Sequence, residues 1–103
     1  MTITDKSDKL APIHPGEVLM EDFIKELGIT QNKLSVSIRV PPRRINEIVH
    51  GKRRVSADTA LRLAKYFGTS AQFWLNLQSQ FDLDVAEDRA AGEINAIAPL
   101  RVA

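Results

Sequence analysis

Apolar residues along this chain recur at intervals of three and four, the spacing of helices that each bury one stripe. In the first such stretch Val18, Leu19, Phe23, Ile24 and Leu27 follow that period, after a Pro15 suited to a first helical turn and a Glu17 that favours the positive end of a helix dipole. Gly28 reads as a left-handed stop. Thr30 is the expected cap of a second helix with Leu34 and Ile38 on its inner face. Val40-Pro41-Pro42 interrupts it, because a proline disfavours helical geometry in the residue before it. A third helix is expected from Pro42 to His50, burying Ile45, Ile48 and Val49 and ending at Gly51. A fourth follows the cap Ser56, with Asp58 in its first turn and Leu61, Leu63, Ala64 and Phe67 apolar, and closes at Gly68. A fifth opens at Thr69 or Ser70 and carries Phe73, Trp74, Leu77 and Phe81. Beyond Leu83, Ala86, Ala90, Ile94 and Ile97 keep a helical spacing up to Pro99, although Gly92 weakens it. No stretch alternates as a strand does. The expected architecture is all-α, with five to six short helices: a loose arm over 1–12, a domain over 13–90, and a tail over 91–103.

The chain has 103 residues, the size of one domain, and 44% of them are hydrophobic, enough for a core. It has no cysteine, which removes disulfides, thiolate metal sites and thiol catalysis. No run approaches the roughly 18 apolar residues of a membrane span, and no basic-then-apolar leader opens the chain, so a cytoplasmic protein without a membrane partner is expected. The formal net charge is only +1. Its distribution changes the picture. Residues 31–65 hold nine basic residues against two acids, while 1–30 hold three against six and 66–103 two against five. Positive charge gathered centrally in a near-neutral chain is the footprint of a polyanion partner.

The same basic segment contains the second and third helices and their tight connection, residues 30–54, a helix-turn-helix whose second helix fits the major groove of DNA. With Ile45, Ile48 and Val49 turned inward, Pro42, Arg43, Asn46, Glu47 and His50 are left on the exposed side and Arg44 at its border. Arginine can donate twice to guanine, asparagine can pair with adenine, and glutamate can accept from cytosine. Gln31, at the start of the second helix, suits a backbone phosphate, and Lys52, Arg53 and Arg54 follow the third helix where the sugar–phosphate chain would run. Arg39 at the turn joins these phosphate candidates.

Three stretches carry a more specific signal: Pro12-Ile13-His14-Pro15-Gly16-Glu17, the run from Val40 to Arg53, and Ser56 to Ala64 together with Phe73-Trp74-Leu75-Asn76-Leu77-Gln78. On these the chain resembles the HigA-type antitoxins of bacterial toxin–antitoxin operons, a branch of the lambda-repressor-like (XRE) helix-turn-helix proteins, over roughly residues 12–90. The resemblance implies a lambda-repressor-like fold, a HigB-type toxin partner (a RelE-like ribonuclease) that the chain silences, and repression of its own operon by a homodimer on a palindromic, double-stranded operator. Carried over by position, Pro42, Arg43, Arg44, Asn46 and Glu47 face bases, while Gln31 and Lys52 meet phosphate. Two positions depart from many relatives: Ser35 stands where alanine is usual, and Arg39 where the turn has glycine, so a different connection is expected there.

The remaining candidates are weaker. His14 and His50 have no ligand spacing and suit a cap or surface role, so no metal or other cofactor is expected. Asp82, Asp84, Glu87 and Asp88 lack the glycine and alternating oxygens of a calcium loop and read as a solvated face or one turned to a basic partner. A domain this small has trouble enclosing every aromatic of its last third, which makes Trp74, Leu77, Phe81, Ile94 and Ile97 the candidates for a dimer interface. A plain helix-turn-helix regulator without a toxin would use the same DNA residues. An enzyme such as a small nuclease lacks a nucleophile–base set, a metal cluster or a phosphate-binding glycine loop.

Overall fold

The computed structural model describes residues 11–101. The expected arm over 1–12 thus lies almost entirely outside the described residues. Five α-helices follow one another among them, without a strand: α1 (Pro15–Val18), α2 (Gln31–Ile38), α3 (Pro42–Val49), α4 (Ala57–Phe67) and α5 (Ala71–Asn95). α1 runs directly into a π-helical segment, Leu19–Ile24, whose wider turns end with the Lys25 N–H donating to the Met20 carbonyl at 2.9 Å.

The helix starts follow local chemistry. Thr30, Ser56 and Ser70 each accept a hydrogen bond from the backbone N–H three residues on, which satisfies one of the donors that every helix start leaves orphaned. His14 does the same for α1: its Nδ1 accepts from the Gly16 N–H at 2.8 Å. The histidine expected as a cap is one. Arg39, in place of a turn glycine, still adopts the left-handed conformation (φ 62°, ψ 48°). The connection therefore keeps its shape, at a backbone cost of about 1 kcal/mol.

Leu19, Ile24, Leu34, Ile45, Ile48, Val55, Ala60, Leu63 and Trp74 form the core. Two expectations about apolar residues fail here. Leu27 belongs to no buried stripe and is exposed, because the π-helical turns shift the register past Ile24. Trp74 is not available to a second subunit: it is fully buried within the chain, its ring against Phe23 at 4.9 Å and Phe73 at 5.0 Å, and its Nε1 donates to Thr69 Oγ1 at 2.8 Å. The domain encloses its largest aromatic by leaving Phe73 and Tyr66 partly outside.

The helical spacing of the tail is taken up by α5 as far as Asn95. α5 continues through Gly92 to Asn95, with a non-helical residue at Ala90 (φ −122°, ψ 17°) marking a kink. Its first half carries the buried Trp74 and Gln78; after Asp82 no residue of it is fully buried, and Leu83, Ile94, Ile97 and Leu100 are exposed.

Candidate nucleic-acid interface

α3 is fixed from behind before it presents anything in front. Ile45 and Ile48 are completely buried, and Gly16 of α1 lies against the Ile48 carbonyl so closely that a Cβ on it would overlap that oxygen. This close approach is the physical reason for glycine between Pro15 and Glu17. Pro41 and Pro42 open α3, Pro42 in the first turn where no N–H is needed. Its outer face then carries Pro42, Arg43, Asn46 and His50 exposed, with Arg44 and Glu47 partly covered.

These side chains are braced rather than loose. Glu47 accepts from Arg43 Nε at 3.0 Å through Oε2 and from Arg53 Nε at 2.8 Å through Oε1. The two guanidinium groups, Arg53 first, hold its carboxyl below the usual carboxylate range. Each oxygen of Glu47 is thus already engaged by a guanidinium in this arrangement. Asn46 Nδ2 donates to Gln31 Oε1 at 3.4 Å, linking the start of α2 to the middle of α3. Arg44 is turned toward α4, where it pairs with Asp58 at 3.2 Å. Asp58 also receives Arg62 at 2.9 Å, and this contact above all lowers its pKa. Arg62 in turn donates to the Ile38 carbonyl at 2.8 Å and closes the end of α2.

The loop after α3 hangs on α5. The buried Val55 N–H donates to Gln78 Oε1 at 2.7 Å, and Gln78 Nε2 donates to Asp82 at 3.0 Å. Asp82 holds Arg54 at 2.8 Å and 3.4 Å, through both carboxylate oxygens. Arg54, expected over the sugar–phosphate chain, is tied to α5 instead, while Lys52 remains exposed. Arg39 lines a different hollow, between the end of α2 and α4, together with Leu61, Arg62, Lys65 and Tyr66. The structure therefore gathers Gln31, Arg43, Asn46, Glu47 and Arg53 by direct contacts, with Lys52 next in the chain, and sets Arg44, Arg54 and Arg39 against other partners.

Sequence reasoning missed Asp58 as the anchor of two arginines and Gln78 and Asp82 as the anchor of the loop. The one signal for the latter was their i, i+4 spacing on a helix otherwise read as apolar.

Comparison with known proteins bears on this surface directly. The helix-turn-helix family model matches residues 20–74. The virulence-associated protein I of Dichelobacter nodosus is 46% identical over 100 residues, covering 97% of this chain and 92% of that protein. Among solved structures, the Pseudomonas aeruginosa antitoxin HigA with the higBA promoter superposes with a TM-score of 0.83 at 44% identity, over 87% of this chain and 99% of its own. This chain belongs to the HigA antitoxin branch of the helix-turn-helix family. A P. aeruginosa structure solved in complex with operator DNA matches with a TM-score of 0.86 at 42% identity, over 91% of this chain and all of that one. HigA-type chains are DNA-binding regulators rather than enzymes.

Proposed function

We propose that this chain is the antitoxin of a two-component pair, binding a HigB-type ribonuclease toxin and repressing its own operon through α3. The observation that carries the DNA half is the outer face of α3, where Arg43, Asn46 and Glu47 stand on a helix locked from behind, in a fold shared with proteins solved on operator and promoter DNA. Arg43 and Asn46 lie where base edges would be read, with Pro42 at the groove entrance; Gln31, Lys52 and Arg53 supply phosphate contacts. Arg44, Arg39 and Arg54 contribute to the positive field from their own ion pairs and carbonyl contacts. The reading is tested by fluorescence anisotropy with the duplex upstream of the chain's own coding region and a scrambled duplex of equal length. Preference for the first by at least about a thousandfold at physiological salt is expected; equal affinity contradicts it.

A palindromic operator requires a two-fold dimer whose recognition helices sit about 34 Å apart. Supporting such a dimer are the apolar residues left uncovered along the second half of α5 and just beyond its end, Ile94 and Ile97 above all, with Leu77 and Phe81 half-buried nearer the domain. Light scattering of the full chain against an Ile94→Asp/Ile97→Asp variant is the check, the variant being expected as monomer. The toxin half rests on membership of the antitoxin family. Its test is co-expression with the product of the adjacent open reading frame: co-elution and rescue of growth are expected, and failure of both would leave a DNA-binding regulator without a toxin.

A further inference from the structure

We propose that Glu47 is a positioning residue that sets sequence selectivity by bracing Arg43 and Arg53, rather than a reader of bases itself. The inference deepens, and rests on, the reading of α3 as the recognition helix.

Both oxygens of Glu47 are committed, and each takes its bond from a different element: Oε2 from Arg43 in the first turn of α3, Oε1 from Arg53 in the loop beyond it. Arg43 has 83% of its side chain exposed, so little packing restrains its rotamers, and the bond to Glu47 anchors it. Glu47 itself is only 26% exposed and sits on a helix anchored in the core by the fully buried Ile45 and Ile48, which makes it a post for two long side chains. In both arginines the bond is made by Nε. Neither arginine gives an Nη hydrogen bond to Glu47, which leaves the Nη groups as donors for guanine or phosphate.

Two consequences follow. Ordering the arginines in the free protein removes an entropic cost from binding, which favours the one base arrangement that fits the fixed fork. The carboxylate also cancels one of the two positive charges it joins, so the cluster presents net +1 to a phosphate chain instead of +2. Attraction to any DNA is lowered while fit to one DNA is raised. A direct reader would have the opposite wiring, with at least one oxygen open toward the groove.

The experiment measures wild type, Glu47→Gln, Arg43→Ala and the double variant on the operator, on operators substituted at one base pair at a time, and on a scrambled duplex. Gln is isosteric and surface-placed, and far-UV circular dichroism with a thermal melt confirms the fold of each variant. Glu47→Gln is expected to bind scrambled DNA about fivefold more tightly at low salt and to lower the operator-to-scrambled ratio about tenfold. The lost discrimination should fall on the same base pair as for Arg43→Ala, with nothing further lost there in the double variant. Lost discrimination at a different base pair would make Glu47 a reader and overturn the proposal; an unchanged ratio would reduce the cluster to an exposed ion pair and overturn it too. A wild type without preference for the operator would instead sink the reading of α3, visibly before any variant is compared. An independent check needs no DNA: the Arg43 and Arg53 Nε–H signals in NMR should exchange slowly in wild type and fast in Glu47→Gln, and fast exchange in both contradicts the brace.

Discussion

On its inner side α3 buries Ile45 and Ile48 completely, and a glycine of α1 packs onto the Ile48 carbonyl; on its outer side Arg43, Asn46 and Glu47 are held by hydrogen bonds to other polar side chains. The inner side is held by shape, where a single added carbon has no room. The outer side is held by charge and hydrogen bonds that are exposed to solvent, individually weak, and exchangeable for bonds to a ligand. The difference separates two requirements of a recognition helix. Its axis must not move, because a shift of the whole helix misplaces every contact, whereas its tips must be ordered and yet able to let go.

The most severe way to break this comparison is from behind. Gly16→Ala forces a Cβ into the Ile48 carbonyl, and backbone rather than a flexible side chain must give way. Loss of about 3 kcal/mol or more in urea denaturation is expected, with operator binding falling along with the fold although Gly16 offers no side chain to DNA. Gln78→Leu comes next. It leaves the buried Val55 N–H without its acceptor and removes the amide that holds Asp82, at a cost of about 1–3 kcal/mol. Because the loop carrying Lys52 and Arg53 loses its anchor on α5, affinity for scrambled and operator DNA should fall together.

The smallest effect sharpens the comparison through pH. Burial lowers the His14 pKa below its ordinary 6.5, against the opposing pull of Asp82 and Glu17. Between the lowered folded value and 6.5 the unfolded chain binds more protons, so stability is full above 6.5 and declines as pH falls through that window. Protonation also removes the lone pair that accepts from Gly16. His14→Asn, which keeps a capping acceptor, should flatten the decline between pH 7 and 5.5 in thermal melts. Glu47, Asp58 and Asp82 have lowered values of the opposite class; their contributions persist through that window and fail only as pH falls through their own depressed carboxylate range.

What the sequence made legible is the part governed by short-range rules. Helix starts at Thr30, Ser56 and Ser70, left-handed stops at Gly28, Gly51 and Gly68, and the inward set of α3 all follow from capping, φ and period. Where the outcome depends on competition between partners, the sequence is silent. Glu47 has the right chemistry for a base edge, and only the positions of Arg43 and Arg53 show that both its oxygens are engaged. Arg54 reads as a phosphate ligand until Asp82, 28 residues on, is found opposite it. The π-helical segment is a choice between two backbone hydrogen bonds that side-chain period does not encode, and it is what turned Leu27 outward. Gly92 weakens the helical pattern of the tail, yet α5 passes through it and bends at Ala90.

The claim that α3 reads sequence from a fixed platform is tested most directly by a salt titration of operator and scrambled duplexes with Arg43→Ala and Lys52→Ala. Arg43→Ala should cost about 1–3 kcal/mol on the operator and little on scrambled DNA. Lys52→Ala should weaken both alike and reduce the slope of log affinity against log salt by about one. Equal losses on both duplexes for both variants would mean that α3 contributes charge and not readout, and would contradict the account.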